Sequence, residues 1–141
     1  QKAKTVFEEL IIDKSRISQY ELITSETFTS YGVCQFSFVK SINGFNTNDT
    51  LSIAIDRDGK IKSYTGSRQG IFDNLTVNAD RSDIEKFIDE KVNSRYKNQT
   101  VKYNVNSMTI DKKKNKFYIR CFVGVETEEY ITGDEYEYRL K

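Results

Sequence analysis

The chain of 141 residues has no histidine, no tryptophan and no proline, and it has only two cysteines. Without histidine, Ser-His-Asp and Cys-His catalysis are excluded, and so are His-ligated zinc and iron sites. Cys34 and Cys121 form no Cys-x-x-Cys motif, so they do not indicate a thiol metal site or a redox site. Each lies on an apolar strand face and is predicted as a small buried side chain, and a disulfide between the two halves of the chain is the alternative.

Long apolar runs are also missing from the sequence. No run approaches the roughly 18 residues that a membrane helix needs, and no signal peptide is visible. The chain begins at Gln1 within a helical pattern. We therefore expect any link to a membrane to come only through an N-terminal anchor that was removed ahead of Gln1.

The charge balance is close to neutral, with 22 lysines and arginines against 21 aspartates and glutamates. A general nucleic-acid interface needs a strongly basic domain, so this balance argues against nucleic acid as a partner. One local basic cluster, Lys112–Lys114 with Lys116, is predicted as the solvated tip of a hairpin at a sheet edge. A polyanion site is the alternative for this cluster.

The middle of the chain, Phe36–Tyr64, predicts a strand, a loop, a strand, a tight turn and a further strand. Apolar residues alternate with polar ones in Cys34, Phe36 and Phe38 and again in Leu51, Ile53 and Ile55. Ile42–Thr50 is rich in turn formers and is predicted as a loop. Asp58-Gly59 between apolar runs predicts a hairpin turn, because glycine adopts positive φ without steric cost.

Two helices are predicted from apolar residues at i, i+3 and i+4 spacing. The first carries Ala3, Val6, Phe7, Leu10 and Ile11, and the second carries Ile84, Phe87, Ile88, Val92 and Tyr96. A capping box from Ser82 to Glu85 is expected to begin the second helix, and Asn98 is expected to cap its end.

Each half of the chain therefore predicts one helix and three strands. The expected fold class is α+β, with two αβββ-type halves in which a helix packs on an antiparallel sheet. The halves are 1–70 and 71–141, as one compact unit or two tandem small domains, with an extra arm at Lys60–Tyr64 in the first. Segments that begin at Tyr20 and Tyr103 align in spacing and apolar pattern, which suggests an internal duplication. A chance likeness between two antiparallel segments is the alternative.

Two motifs that could carry chemistry are incomplete, and a third occurs in full but does not predict a site. Asp56-x-Asp58-Gly59 begins like a calcium loop, but Ser67 stands where an EF-hand needs its glutamate, so a plain hairpin turn is predicted. Gly66-x-x-x-Gly70 lacks the Lys-Ser/Thr of a phosphate loop, and Ile71 and Phe72 after it are expected to dock on the core. The three Asn-x-Thr sequons begin at Asn48, Asn74 and Asn98 and are interpreted as chance occurrences.

The paired carboxylates and the tyrosines do not predict a catalytic site. Glu128-Glu129 and Asp134-Glu135 are adjacent pairs, whose side chains point to opposite faces of a strand, so both are predicted as solvated strand ends. Tyr130, Tyr136 and Tyr138 share one strand parity and are predicted as a half-buried face under a helix, with a base-stacking platform as the alternative. No catalytic, cofactor-binding or metal-binding residue is predicted.

The stretch FVKSINGFNTNDTLSIAIDRDGKIKSY resembles the signature of PepSY-like domains, especially their YcdB-type relatives. It shares their basic aromatic strand, glycine-containing loop, apolar strand that ends in Asp, following Gly and Ile-x-x-Tyr. The resemblance implies an α+β domain of PepSY-like or cystatin-like shape outside the cytoplasm, on the surface of a Gram-positive bacterium or secreted. It also implies an association with peptidases and no catalytic residues.

Three classes of function follow as expectations. The first is a non-enzymatic extracytoplasmic binding or regulatory module that modulates a peptidase or cell-envelope partner, through a sheet edge or the Ile42–Thr50 loop. The second is a structural spacer or assembly domain of a lipoprotein or secretion apparatus. The third is a cone-shaped α+β domain that binds a small ligand in a cavity lined by acids such as Glu26 or Asp134. No cofactor is expected. A protein partner is expected.

Overall fold

The structure of the chain, a computed structural model, describes residues 5, 8–9, 20–28, 32–67 and 70–141. In chain order the elements are β1 (Tyr20–Phe28), β2 (Val33–Ile42), β3 (Phe45–Ile55), β4 (Ile61–Ser67), α1 (Arg81–Arg95), β5 (Lys102–Lys113), β6 (Lys116–Glu126) and β7 (Ile131–Arg139). The strands predicted from the alternation at Cys34–Phe38 and Leu51–Ile55 are present as β2 and β3, although β3 begins well before Leu51, at Phe45.

Seven strands form one sheet in the order β1-β2-β3-β5-β6-β7, and β4 pairs with β3 beside this path. In the described part of the chain the fold is loosely α+β, one helix and a predominant antiparallel sheet. The expectation of two αβββ halves is wrong, because all seven described strands belong to one sheet and do not form a separate sheet in each half. Apolar spacing predicts strands but carries no information about which strands pair.

The predicted first helix lies almost entirely outside the described residues. Thr5, Glu8 and Glu9 are helical. The apolar face predicted for this helix, Ala3, Val6, Phe7, Leu10 and Ile11, lies outside them. Within the described residues, no helix is both long enough and apolar enough to span a membrane.

The chain divides into two compact units. The first comprises Gln1–Ile42 and Thr47–Leu75, and the second comprises Asn43–Asn46 and Thr76–Lys141. The predicted boundary between residues 70 and 71 stays a prediction.

In the first unit, the core lies on one face of β1, β2 and β3. Its members are Tyr20, Phe38, Leu51, Ile53 and Ile55, with Phe36 packed against them. The buried residues of β3 recur at every second position, as expected for a strand with one covered face. Phe72 docks as predicted and is 2% exposed, whereas Ile71 is only half-buried. Burial of one such phenylalanine stabilises the fold by about 2 kcal/mol.

The predicted loop at Ile42–Thr50 is wrong. β2 continues to Ile42, β3 begins at Phe45, and the chain reverses within the two residues between them. Asn43 has φ 50° and Gly44 has φ 82°, and two successive left-handed residues are what a tight hairpin turn requires. The remaining polar residues of the expected loop are part of β3, so no long loop is present there to bind a partner.

In the second unit, α1 begins two residues earlier than its predicted capping box. Asp80 has extended backbone (φ −101°, ψ 177°) and is the N-cap. Its carboxylate accepts the amide of Asp83 at 3.0 Å, and the Asp83 carboxylate accepts the Asp80 amide at 2.9 Å. Ser82 donates its hydroxyl to Asp80 at 2.6 Å. The capping box predicted from Ser82 to Glu85 is therefore wrong, because Asp80 takes the N-cap position first.

The predicted apolar face of α1 is confirmed. Ile84, Ile88 and Val92 are fully buried, and Tyr96 is 6% exposed. The half-buried Phe87 ring packs edge-to-face against Tyr138 of β7 with 5.2 Å between ring centroids. The helix ends at Arg95 with Tyr96 as its C-cap, so the cap predicted at Asn98 is wrong.

The two hairpins whose sequences align share one irregularity. The register between β1 and β2 skips Ile23, the third residue after Tyr20. The register between β5 and β6 skips Asn106, the third residue after Tyr103. A β-bulge at the same position of both hairpins adds a structural parallel to the similarity of their apolar patterns.

Candidate functional site

Polar residues interrupt the apolar core of the first unit. The Tyr20 hydroxyl donates a 2.7 Å hydrogen bond to Oδ1 of Asp49, which is fully buried. Nζ of Lys40, opposite Tyr20 in the β1–β2 register, donates a 2.8 Å hydrogen bond to Oδ1 of Asp73. Thr47 on β3 is bonded to β2 and to its own strand. Its hydroxyl donates to the Lys40 carbonyl at 2.9 Å and accepts the Asp49 amide at 3.1 Å.

This cluster is arranged for stability and not for binding. The Lys40 side chain is 3% exposed and its partner Asp73 is 40% exposed, so the ion pair has a buried end and a surface end. A buried charge must have an ionic or hydrogen-bonding partner, because desolvation is costly. Asp73 meets that requirement for Lys40, and Tyr20 donates to the buried carboxylate of Asp49.

A second buried cluster centres on Asp134 in the second unit. Oδ2 of Asp134 accepts the Tyr96 hydroxyl at 2.6 Å and the Tyr136 hydroxyl at 3.0 Å. Oδ1 lies 3.6 Å from Nη1 of Arg95, whose side chain is 58% exposed. The prediction of a solvated strand end is therefore wrong for Asp134, although Glu135 is exposed on the opposite face.

The Asp134 cluster raises the pKa of three neighbouring groups. The hydrogen bond to Asp134, helped by burial, raises the pKa of Tyr96 to about 12. Burial and the same carboxylate raise the pKa of Tyr136. The negative charge of Asp134 raises the pKa of Arg95. All three effects favour the protonated form near neutral pH, so these groups are poor general bases there.

A charged network lies on the face of β5–β7 away from the buried residues. Arg120 on β6 donates to Oδ2 of Asp111 at 3.1 Å and, through two nitrogens, to Oε1 of Glu135 at 2.9 and 2.8 Å. Lys113 lies 3.8 Å from Glu137 in the same region. These groups border a surface concavity of about 300 Å³. Their charges neutralise one another, so the concavity has no strong preference for one sign of ligand charge.

Two further concavities are polar and open. One of about 390 Å³ is lined by Asn98, Gln99, Thr100 and Thr127–Tyr130. One of about 200 Å³ is lined by Asn78, Ala79, Asp83 and Tyr138–Lys141. Asp134 lines neither of them, and the side chain of Glu26 lies outside the described residues. The two acids predicted to line a ligand cavity are therefore not brought together in a described concavity.

Among the elements whose side chains are described along most of their length, β4 is the most exposed. Its residues Ile61–Gly66 are all exposed, on both faces of the strand. Tyr64 is 60% exposed although it pairs with Ile53, which is fully buried. Ile61 is 45% exposed and pairs with Ile55. The apolar core face of β3 thus continues onto an uncovered strand.

The backbone of β4 is paired along one side. Ser63–Ser67 runs in continuous antiparallel register with Thr50–Ala54. In the described part of the chain, β3 is the only strand recorded as a neighbour of β4. A strand paired on one side presents unpaired N–H and C=O groups along the other, which is a template for another strand. This edge is the candidate functional site.

The Asp56–Lys60 segment is a hairpin turn, as predicted. The Asp56 amide donates to the Lys60 carbonyl at 2.9 Å, and the Lys60 amide donates to Oδ1 of Asp56 at 2.8 Å. The second bond lowers the pKa of Asp56. Among the described residues, no group of three or more Cys, Asp and Glu side chains is placed to hold a metal ion.

The other predicted motifs also have definite places. Lys114 and Asn115 have φ 50° and 63° and form the tip of the β5–β6 hairpin, as predicted for the lysine cluster. The edge position predicted for this hairpin is wrong, because β5 and β6 lie between β3 and β7 in the strand order. Tyr136 and Tyr138 are half-buried as predicted, but Tyr130 is 47% exposed and precedes β7. Asn74 and Asn98 lie at exposed turns, whereas Asn48 is in β3.

Cys34 and Cys121, both among the described residues, are not joined in a disulfide bond. Cys121 is fully buried as predicted, and burial raises its pKa to about 11. Cys34 is half-buried, which is less than predicted. A thiol with a raised pKa is a weak nucleophile at neutral pH, so Cys121 acts as a small core side chain.

Apolar periodicity alone could not identify Lys40, Asp49 and Asp134 as buried. Each is a charged residue on a strand, and a charged side chain by itself predicts solvent exposure. The only available signal was parity, since Lys40 follows Phe36 and Phe38 and Asp49 precedes Leu51 at two-residue spacing.

No family model, curated protein or solved structure matches the chain.

Proposed function

We propose that this chain is a non-enzymatic binding and regulatory module that works outside the cytoplasm and holds a protein partner along an exposed edge of its sheet. The observation that carries the proposal is β4, whose side chains are exposed on both faces and whose backbone is paired on one side by β3. Addition of a partner strand to such an edge needs only main-chain groups, so it leaves little trace in sequence motifs.

The buried clusters support the non-enzymatic part of the proposal. Lys40 pairs with Asp73, and Asp134 accepts two tyrosine hydroxyls. Groups tied together in this way hold the fold and are not poised for proton transfer to a substrate. The exposed strand and the enclosed titratable groups together favour recognition over catalysis.

The resemblance of Phe38–Tyr64 to PepSY-like domains supports the identity of the partner and the location. PepSY-like or cystatin-like character of the fold belongs to the same proposal, supported by a helix that packs on an antiparallel sheet through Phe87 and Tyr138. The partner is a peptidase or another cell-envelope protein, and the setting is the surface of a Gram-positive bacterium.

The test is capture from an extract of membrane and cell wall by the immobilised chain, with identification by mass spectrometry. A peptidase enriched over the bead control, and inhibited or activated by the free chain, supports the proposal. Recovery of structural envelope proteins alone favours an assembly domain, and it contradicts the regulatory part. No protein above the control contradicts a binding function and leaves the spacer alternative.

A further inference from the structure

The described part of the sheet has three strands at its margins, and they differ in how open they are to another strand. β1 and β7 end the strand order, and β4 lies beside it. Proteins blunt edges with bulges and with charged residues that point inward. The three strands can therefore be compared by whether each has a β-bulge or an inward-pointing charge.

β7 carries an inward-pointing charge near its middle. Asp134 is 6% exposed and its carboxylate lies 3.6 Å from the Arg95 guanidinium. A strand added to β7 would further desolvate this charged pair without supplying a new partner for it. β7 is therefore protected against strand addition by one of the devices that natural edge strands use.

β1 is interrupted by a bulge. The register with β2 skips Ile23, so the strand is divided after its first three residues, Tyr20–Leu22. A bulge twists an edge and breaks the regular spacing of the groups that a second strand would need. Beyond this bulge Thr24–Phe28 is in unbroken register with β2, much as Ser63–Ser67 is with β3, so register alone does not distinguish β1 from β4.

β4 has neither form of protection over most of its length. Its register irregularity lies opposite Ala54 and Ile55, at the beginning of the strand, and leaves Ser63–Ser67 unbroken. No side chain of Ile61–Gly66 is buried, so no inward charge would be desolvated when a second strand is added. The absence of an inward-pointing charge therefore favours β4 over β7, and the side chains of β4 are the reason to choose it over β1.

The side chains of β4 define the chemistry of the added strand. From Lys60 to Ser67 the sequence has two lysines and no aspartate or glutamate. Lys62 is 59% exposed and lies 3.6 Å from Asp56, and the Lys60 ammonium has no partner among the described residues. Tyr64 and Ile61 offer exposed apolar surface on the face that continues the core of β3.

We infer that β4 receives an extended segment of a protein partner in which acidic and apolar side chains alternate. The acidic side chains complement Lys60 and Lys62, and the apolar ones cover Ile61 and Tyr64. The inference rests on the proposed binding function and deepens it by naming the edge and the chemistry of its occupant. A second copy of this chain would bring two more lysines to the same edge, which disfavours self-pairing.

The direct test titrates the full chain with a synthetic peptide that matches β4 in length, seven residues, and alternates valine with glutamate. Amide NMR signals of Ile61–Ser67 are expected to shift and their hydrogen exchange to slow. A peptide that alternates valine with lysine is expected to bind about tenfold more weakly. Equal affinity for both peptides, shifts centred on β1 or β7, or no shift at the solubility limit would overturn the inference.

Charge reversal on the chain provides the reciprocal test. The double variant Lys60→Glu with Lys62→Glu is expected to bind the valine–glutamate peptide about tenfold more weakly than the unaltered chain does. Lys86→Glu with Lys97→Glu reverses two exposed lysines of the second unit and is expected to change nothing. If the double variant of β4 unfolds, Lys60→Gln serves in its place, because the Lys60 ammonium forms no ion pair with a described residue. An unchanged affinity in either β4 variant overturns the charge assignment.

An experiment can distinguish failure of the β4 assignment from failure of the proposed binding function. A partner captured equally well by the β4 variants and by the unaltered chain would leave the binding function intact and refute β4 as its edge. Concentration-dependent sedimentation of the chain alone, abolished by the β4 variants, would show that a second copy is the occupant and would refute a separate partner.

Discussion

The Tyr96 hydroxyl, at the C-terminal end of α1, donates a 2.6 Å hydrogen bond to the buried carboxylate of Asp134 on β7. The bond joins residues 38 positions apart in the chain and connects the helix to the strand that ends the sheet order. Hydrogen bonds to a charged acceptor are stronger than those between neutral groups, and a buried acceptor without a donor is costly. This contact is a principal polar link between α1 and β7.

Removal of the Asp134 carboxylate is expected to destabilise the protein more than removal of one of its donors. Asp134→Ala leaves two tyrosine hydroxyls and Arg95 without their acceptor, and we expect a loss of about 3 kcal/mol in the free energy of unfolding. Tyr96→Phe removes one donor and is expected to cost about 1.5 kcal/mol. Urea unfolding followed by circular dichroism measures both. Tyr64→Phe is the matched control, because Tyr64 is 60% exposed and its change should lie within about 0.5 kcal/mol of zero.

The same contact predicts a loss of stability at high pH. The pKa of Tyr96 is raised to about 12 in the folded chain, against an ordinary value of 10.0. Between these values the unfolded chain releases the proton first, so the free energy of unfolding falls as the pH rises from about 10 to 12. The contribution is fully present below pH 10. Tyr96→Phe should show a shallower fall over this range than the unaltered chain, and an identical slope in the two proteins would contradict the assignment.

The Lys40–Asp73 pair predicts an asymmetric response to mutation. Asp73→Ala leaves a lysine whose side chain is 3% exposed without its ionic partner, and we expect a cost of about 2–3 kcal/mol. Lys40→Met replaces the buried charge with an apolar side chain and leaves only a partly exposed carboxylate, so a cost below about 1.5 kcal/mol is expected. The double variant should be no less stable than Asp73→Ala alone. Equal costs for the two single variants, measured by thermal and urea unfolding, would refute the pairing.

The hairpin turn between β2 and β3 predicts a difference between two glycines that both face open space. Gly44 has φ 82°, and nothing would meet an added methyl group within 4 Å. Gly44→Ala is therefore expected to cost about 1 kcal/mol through backbone strain alone. Gly133→Ala also meets nothing within 4 Å, but Gly133 does not have a left-handed φ, so its change should lie within about 0.5 kcal/mol of zero. Equal effects would show that backbone conformation is not the cause.

The elements that could be predicted are those in which local pattern and burial agree. Ile84, Ile88 and Val92 recur at helical spacing and are fully buried. Leu51 and Ile53 alternate with polar residues and lie on the covered face of β3. In each case hydrophobic burial alone determines which side chains face the core, and spacing along the sequence records it directly.

The first half of β3 could not be predicted by the same means. Its residues Asn46–Thr50 are polar, and composition favoured a loop. Thr47 and Asp49 are nevertheless buried, because the Lys40 carbonyl on β2 and the Tyr20 hydroxyl on β1 supply hydrogen-bonding partners. Such partners are distant in sequence, and a single sequence does not record them. The Asn43-Gly44 dipeptide was the available hairpin signal, and the polar run after it obscured that signal.

The exposed edge at β4 was also beyond sequence reasoning. An edge is defined by which strands pair, and strand order is a property of the whole sheet. The sequence predicted a short arm at Lys60–Tyr64 but not that its side chains would be exposed on both faces. The two lysines and the exposed Tyr64 acquire a possible role in recognition only once that position is known.

The most direct measurement of the central claim is hydrogen–deuterium exchange of the full chain with and without the envelope protein that it captures. We expect the amides of Ile61–Ser67 to become protected in the complex, because a partner strand would occupy their unpaired side. Amides of β7, behind the inward-pointing Asp134, should exchange as in the free chain. Protection confined to β7 or to the surface of α1, with β4 unchanged, would contradict binding through the exposed edge.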